Sequence, residues 1–257
     1  MFGLQKFLLL LVLTCFGQLV HGIIHGGKAP ESSMRYMVSV QNNGGHVCGG
    51  FLITNNFVVT AAHCYHYHPT HVVLGNHNLK NGQMVAIKKK FVHNSYESPE
   101  TGDDIMLLQL ATTNGLRDVI QLPHAEIDLT ANEVCQVAGW GKTMSGGKYV
   151  GELRVVDVSV INPQVCKNQW SQLPANVICA GGYGTSKGFC QGDSGGPLVC
   201  KGFAVGIVSF NHNRNCNYPE LPNVYTDISK YLQWIDMILH NHQGLTVKPH
   251  MFCCLHY

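Results

Sequence analysis

The sequence has few charged residues, no N-glycosylation sequon and little helical periodicity. Charged residues make up 12% of the 257 residues, and the formal net charge of +2 gives no basis for nucleic-acid binding. A local exception is the run Lys88, Lys89 and Lys90, which we interpret as a solvated strand end, with a sulfated-polysaccharide contact as the alternative. The 45% of apolar residues instead favours a folded chain with a sizeable core.

Beyond its N-terminus the chain lacks an apolar run long enough to span a bilayer. Lys6 precedes apolar residues 7–13, a run too short for a membrane helix and typical of a secretory signal. We predict that residues 1–22 comprise a signal peptide and a short activation peptide, and that the mature protein has no transmembrane segment. The 11 cysteines suit an oxidising compartment, so we expect secretion to the extracellular space or into a granule.

Short apolar or alternating runs, such as 57–60, 71–74 and 155–160, are separated by Gly, Asn and Pro clusters. This pattern predicts many strands joined by turns, and therefore an all-β barrel or sandwich. The best helical periodicity lies at 227–240, where Asp227 is placed to cap the start.

Three motifs carry chemistry. Residues 192–197 read Gly-Asp-Ser-Gly-Gly-Pro, which places the Ser194 hydroxyl in a glycine loop beside a carboxylate. A serine needs a base within hydrogen-bond reach to act as a nucleophile, and imidazole titrates in the right range. Upstream, residues 60–64 read Thr-Ala-Ala-His-Cys, and residues 103–108 read Asp-Asp-Ile-Met-Leu-Leu.

These motifs, in the order His63, Asp104, Ser194, resemble those of trypsin/chymotrypsin-type serine proteases, and in particular the granzyme and leukocyte-elastase branch. The resemblance extends from Ile23 to about residue 240. It implies two packed six-stranded antiparallel β-barrels with a C-terminal α-helix that closes the second. We expect an N-terminal barrel at 23–128, a C-terminal barrel and helix at 129–241, and a tail at 242–257, with the site in the cleft between the barrels.

The resemblance also implies individual roles. His63 would be the general base for Ser194, and Asp104 would hold the second ring nitrogen of His63. Asp103 competes for this third place, but the match to the residues that follow favours Asp104. The backbone N–H groups of Gly192 and Ser194 would form the oxyanion hole.

Substrate selection is expected to depend on a pocket implied by the same resemblance. Tryptic members carry an aspartate six residues before the serine, where this chain has Gly188, so a preference for Arg or Lys is not expected. The same pocket would contain the bulky Phe189 and two asparagines, Asn211 and Asn223. We therefore expect a narrowed, uncharged pocket that accepts small or medium P1 side chains. There are two alternatives. Phe189 could fold away and leave room for Met, Leu or Phe at P1, or it could block the pocket. The predicted substrate-binding residues are Gly188, Phe189, Ser209, Asn211 and Asn223.

Activation is implied by residues 23–27, which read Ile-Ile-His-Gly-Gly and resemble the N-terminus that the family exposes by proteolysis. The new amino group of Ile23 would pair with Asp193. The residue before Ile23 is Gly22 rather than Arg or Lys, which favours a dipeptide-removing activating peptidase over a trypsin-like one.

The eight cysteines in the body of the chain allow 105 pairings, so spacing alone does not decide between them. The resemblance implies the pairs Cys48–Cys64, Cys135–Cys200, Cys166–Cys179 and Cys190–Cys216. Cys253 and Cys254 lie in the tail, where a vicinal or intermolecular disulfide is favoured over a metal clamp.

We expect no cofactor and no metal, because the loop at 75–82, which binds calcium in some relatives, has no acidic residue. The expected partners are protein or peptide substrates, the activating peptidase and serpin-type inhibitors. The alternative function is a catalytically weak or inactive protease scaffold that acts in binding or antimicrobial defence.

Overall fold

The computed structural model describes residues 23–111, 115, 117–218 and 221–242. The expected leader at 1–22 and the tail cysteines Cys253 and Cys254 lie outside the described residues. Within those residues the chain is mostly β, with two α-helices and four short 3₁₀ turns. The strands are β1 Gly27–Lys28, β2 Met37–Asn42, β3 Gly45–Leu52, β4 Phe57–Thr60, β5 His71–Leu74, β6 Gln83–Val92, β7 Met106–Leu110, β8 Val134–Gly139, β9 Arg154–Ser159, β10 Val177–Cys179, β11 Pro197–Cys200, β12 Phe203–Phe210 and β13 Val224–Asp227; the helices are α1 Pro163–Gln169 and α2 Leu232–His242.

Strands β2 to β7 form a closed antiparallel barrel in the order β2-β3-β4-β7-β6-β5. The apolar strands β4 and β7 are buried along their whole length, because they lie in the middle of the largest apolar cluster of the molecule. They pair in antiparallel register, with Thr60 opposite Met106. This register brings the end of β4 and the start of β7 to the same edge of the barrel.

The second half is a seven-stranded sheet in the order β1-β9-β8-β11-β12-β13-β10, where six strands were expected. The additional strand is β1, whose two residues pair with the start of β9. The other six strands, β8 to β13, close on themselves through a single bridge between Val160 and Ala180, just beyond β9 and β10. The expected all-β architecture is therefore confirmed, with the N-terminal segment as an added edge strand.

The C-terminal helix was expected at 227–240 and lies at α2, Leu232–His242, after a 3₁₀ turn. Asp227 caps that turn by accepting from the Ser229 N–H at 3.0 Å. Ile235 and Ile238 of α2 are buried in the apolar cluster that includes the first barrel. The expectation that this helix closes the second barrel is therefore wrong: it leaves the second sheet at β13 and packs across to the first barrel, which links the two halves.

The two halves also meet where glycines allow close backbone contact. The Gly49 N–H of β3 donates to the Ser194 carbonyl at 2.8 Å, and the Thr60 hydroxyl donates to the Gly49 carbonyl at 2.7 Å. A Cβ placed on Gly49 would lie 3.1 Å from the Gly196 nitrogen. This seam therefore fixes the Ser194 loop against the barrel that carries His63.

Four disulfides join the pairs that the resemblance implied: Cys48–Cys64, Cys135–Cys200, Cys166–Cys179 and Cys190–Cys216. The first ties β3 to the turn that carries His63, and the fourth ties the segment before Ser194 to the loop after β12. Among the described residues, none of the helices combines the length and apolarity that crossing a membrane requires.

The seam gives a stability prediction. Gly195 has φ +81°, and a Cβ there would press on the Thr60 hydroxyl and lie 2.6 Å from the Gly49 carbonyl oxygen. Gly202 has a similar φ of +84° but nothing within 4 Å of its Cβ position, so it isolates the cost of the backbone conformation. We expect Gly195→Ala to lower the free energy of unfolding by about 1–3 kcal/mol more than Gly202→Ala. Urea unfolding with the disulfides intact measures this difference, and equal losses in the two variants would contradict it.

Candidate active site

The ends of β4 and β7 place an imidazole beside a carboxylate. His63 follows β4 in a 3₁₀ turn, and Asp104 lies just before β7. Asp104 accepts two hydrogen bonds from His63: Oδ2 from the ring Nδ1 at 2.7 Å, and Oδ1 from the backbone N–H at 2.8 Å. The carboxylate therefore fixes both the orientation of the ring and the turn that carries it.

The second half contributes two further contacts to the same residue. Ser209 of β12 donates its hydroxyl to Asp104 Oδ2 at 2.5 Å, and Thr226 of β13 donates to the Asp104 carbonyl at 3.0 Å. Burial alone would raise the pKa of Asp104, but the charge of His63 and the hydrogen bonds from His63 and Ser209 outweigh it and hold the pKa below its usual range. Asp104 is therefore ionised near neutral pH.

Asp103, the competing candidate, has a different partner. Its Oδ1 accepts the Tyr231 hydroxyl at 2.8 Å, and the pair lies at the turn that precedes α2. The structure therefore brings Asp104, and not Asp103, to His63.

Ser194 lies in a loop held by its own backbone and by both halves. The Gly196 N–H bonds back to the Asp193 carbonyl at 2.9 Å, and the Gly195 N–H bonds to Val208 of β12 at 2.8 Å. Ser194 and His63 line the same cleft, of about 390 Å³, together with Gly192. The cleft lies between the two halves, as expected, and brings the three motifs to one place.

The carbonyl of Gly192 is held by His46, a residue that no sequence motif marks. The His46 Nε2–H donates to the Gly192 carbonyl at 2.9 Å, while Nδ1 accepts the Ser39 hydroxyl at 2.8 Å. Burial lowers the pKa of His46 to about 4 despite the bond to Gly192, so the ring is neutral at physiological pH. His46 and Gly192 are far apart in the chain, and nothing local distinguishes His46 among the 15 histidines.

Asp193, beside the serine, is fully buried and has no cationic partner among the described residues. Its carboxylate accepts the N–H of Cys190 at 2.9 Å and that of Gly141 at 2.8 Å. Burial outweighs these two bonds and raises the pKa of Asp193 to about 7. Nearby, Ile23 is fully buried, and the Ile24 N–H donates to the Gly188 carbonyl at 2.9 Å.

The predicted substrate-binding residues divide into two sets. Phe189, Ser209 and Asn211 line the cleft. Gly188 and Asn223 do not line it, and Asn223 is fully buried. The Phe189 side chain points into the core, where its ring meets Tyr225 edge-on at 5.3 Å, so this residue folds away from the cleft instead of blocking it.

The described residues contain one group with the spacing of a metal site: Cys48, His63 and Cys64. The two sulfurs form a disulfide with each other, and a disulfide supplies no thiolate ligand. The group therefore does not fit a metal ion.

Comparisons with known proteins agree with this geometry. Residues 23–235 match the family model described as Trypsin. The chain is 37% identical to human chymotrypsin-like elastase family member 1, covering 84% of this chain and 92% of that protein. It is 39% identical to rat granzyme B, covering 83% and 89%, respectively.

A solved structure of mouse neuropsin, a serine protease, matches with a TM-score of 0.77 and 30% sequence identity, covering 84% of this chain and all of that one. The match supports the β architecture over most of the chain. The resemblance inferred from the three motifs is thus confirmed, and the chain belongs to the trypsin family of serine proteases, which are serine-type endopeptidases.

Proposed function

We propose that this chain is a secreted serine endopeptidase that cleaves peptide bonds through His63, Asp104 and Ser194. The observation that carries the proposal is the two-point bond between Asp104 and His63, at 2.7 and 2.8 Å, at the edge of a cleft that also contains Ser194. We place the boundary between the two barrels between residues 128 and 129, with β1 as a segment before that boundary that joins the second sheet. The reacting groups then come from both halves.

The chemistry follows from the held imidazole. Because Nδ1 of His63 donates to Asp104, Nε2 carries the free lone pair and can take the proton of the Ser194 hydroxyl as its oxygen attacks the scissile carbonyl. The imidazolium formed is stabilised by the ionised carboxylate. His63 then gives its proton to the leaving amine, and water hydrolyses the acyl-enzyme by the same route in reverse.

The negative charge on the attacked carbonyl oxygen needs donors, and we assign the N–H groups of Gly192 and Ser194 to this role. Support comes from Gly192, which lines the cleft and has φ +97°, a conformation that favours glycine. A Cβ there would lie 2.9 Å from the Cα of Gly141, so a side chain would also disturb the loop. The neutral His46 ring holds the Gly192 carbonyl and so restrains the peptide that joins Gly192 to Asp193.

Substrates are protein or peptide chains, with small or medium uncharged side chains at P1. The absence of a charge at Gly188 supports the uncharged part of this preference. The Phe189 ring faces the core and does not narrow the pocket, so the size limit requires another side chain. The four disulfides support an oxidising destination, either extracellular or in a secretory granule. An activating peptidase and serpin-type inhibitors are the further partners we propose.

Activation is proposed to follow cleavage before Ile23, which would supply Asp193 with an ammonium partner. A buried carboxylate without a cation is unfavourable when ionised, and the raised pKa of Asp193, about 7, reflects this cost. The buried position of Ile23 and the bond from Ile24 to Gly188 support an inward course of this segment.

The proposal is tested by covalent labelling of the serine. Protein that begins at Ile23 should react at Ser194 with an organophosphonate probe that carries a small uncharged P1 group, because only an activated hydroxyl attacks it. Ser194→Ala should abolish labelling, and Ser32→Ala, which removes an exposed hydroxyl, should not. Peptide mapping by mass spectrometry locates the label. An unlabelled Ser194 would instead favour the inactive-scaffold alternative.

The role of Asp104 gives a second prediction. Asp104→Asn removes the charge that orients His63, and should lower kcat by about 10⁴-fold, the magnitude general for Ser-His-Asp triads. Asp103→Asn is the matched control, because its carboxylate bonds to Tyr231 instead, and kcat should change by less than about tenfold. Steady-state kinetics on a peptide substrate measures both variants. Equal losses would exclude a specific role for Asp104.

Activation gives a third prediction, which concerns pH. In the unprocessed chain the pKa of Asp193 lies above its ordinary value of 3.8, so the folded state binds the extra proton and loses stability as pH rises towards 7. An amino group at Ile23 should remove this loss. In Ser194→Ala protein, the stability gained by starting at Ile23 should therefore be larger at pH 7.5 than at pH 5, as measured by urea unfolding.

The control for this pH experiment is Asp193→Asn, which has no charge to pair and should show no pH-dependent gain. N-terminal sequencing of the secreted active protein provides a separate check. A start at any residue other than Ile23, or a gain that does not change with pH, would contradict the activation proposal.

A further inference from the structure

The residue that lies against the base of the specificity pocket is Tyr218, which no sequence motif indicated. Its ring covers Gly188, the position that carries the charge in tryptic relatives. A Cβ placed on Gly188 would lie 2.6 Å from Cε2 and 2.9 Å from Cζ of Tyr218. The space above Gly188 that would receive a long P1 side chain is therefore occupied by an aromatic ring.

The ring is anchored through its hydroxyl. The Tyr218 hydroxyl donates to the Phe189 carbonyl at 2.5 Å and accepts from Nδ2 of Asn211 at 3.1 Å. These two partners belong to the opposite walls of the pocket, so Tyr218 bridges the space between them. Burial raises the pKa of Tyr218 to about 12, so its hydroxyl retains the proton needed for the bond to Phe189 at physiological pH.

Asn211 is itself held in place. Its Nδ2 also donates to the Asn215 carbonyl at 3.1 Å, which orients the amide towards Tyr218. The disulfide between Cys190 and Cys216 joins the two chain segments on either side of this bridge. Tyr218 thus belongs to a cross-linked wall, and moving its ring would break both bonds of its hydroxyl.

The shape of the cleft agrees with a closed base. Its lining includes Phe189 and Asn211, the two partners of the Tyr218 hydroxyl, but neither Gly188 nor Asn223. The Asn223 amide also lies against Gly188, because its Nδ2 would be 2.5 Å from a Cβ placed there. Tyr218 does not line the cleft either, so the open part of the pocket ends at Phe189 and Asn211, the two residues that bond its hydroxyl.

We propose that Tyr218 is a specificity-determining residue that limits P1 to the smallest side chains: Gly, Ala, Ser, Thr and Val. This inference rests on the proposed endopeptidase function and deepens it, because it narrows the preference for small or medium residues and assigns its cause to one side chain. Phe189, the bulky residue singled out from the sequence, acts only through its backbone carbonyl, as the acceptor that holds Tyr218 in place.

The first experiment uses the wild-type protein beginning at Ile23 and two phosphonate probes that differ only at P1. The probe with an Ala-like group should label Ser194 at least about tenfold faster than the probe with a Phe-like group, because the ring leaves no room for a second aromatic side chain. Equal rates would overturn the proposal without any variant having to fold. Failure of both probes to label Ser194 would overturn the proposed function as well.

The second experiment removes the ring. Tyr218→Ala should raise kcat/KM for peptides with Leu or Phe at P1 by about 10- to 200-fold relative to peptides with Ala at P1, because buried space becomes available to the longer side chain. Tyr218→Phe keeps the ring volume without the hydroxyl and should retain the preference for Ala. Rates are normalised to the fraction of Ser194 labelled by the Ala-like probe.

The matched control is Tyr183→Ala, which removes an exposed tyrosine whose hydroxyl contacts only the Gln169 amide among the described residues. Its P1 profile should equal that of the wild type. A fully labelled Tyr218→Ala protein with an unchanged P1 profile would overturn the role of Tyr218 while leaving the proposed catalytic function intact. A shift of the same size in Tyr183→Ala would overturn it too, because the effect would not be specific to the Tyr218 ring.

Discussion

The site depends on one buried carboxylate that the two halves of the molecule share. Asp104 enters from the first barrel beside β7 and binds His63, while Ser209 and Thr226 approach it from the second sheet. An ionised carboxylate is costly to bury unless hydrogen bonds and charge replace its water. Because those partners come from both halves, the ionised form of Asp104 and the docking of the halves stabilise each other, while the two bonds from Asp104 to His63 lie within the first barrel.

The seam between the halves extends this coupling to the nucleophile. The Ser194 carbonyl accepts from Gly49, whose own carbonyl accepts from Thr60, the last residue of the strand that leads to His63. Two hydrogen bonds therefore connect the Ser194 loop to the strand that leads to His63. Neither bond involves the side chain of Ser194 or of His63. Glycines are required along this path because the two backbones approach more closely than a Cβ allows.

Two buried carboxylates in the same region are in opposite states. The pKa of Asp104 is lowered, since His63 and Ser209 outweigh its burial, whereas that of Asp193 is raised to about 7, since two backbone N–H groups do not. Asp104, which holds the His63 ring, is thus ionised near neutral pH, whereas Asp193, beside Ser194, changes its charge in that range. The difference lies in the partners: side chains of His63 and Ser209 bond Asp104, whereas Asp193 accepts only the backbone N–H groups of Cys190 and Gly141 among the described residues.

The difference between what the sequence predicts and what it does not follows from the range of the contacts. The motifs around His63, Asp104 and Ser194 are local, and the strand pattern is local, so the reaction and the β architecture could be predicted. The two-residue strand β1 has no periodicity to detect, and His46 and Tyr218 act on residues distant in the chain. Catalysis requires particular residue types in particular loops. The depth of a P1 pocket depends instead on the volume that side chains occupy in it, and a side chain from any part of the chain that reaches the pocket can occupy that volume. The selectivity of such a site is therefore determined by tertiary contacts, even where the reaction can be predicted from three short motifs.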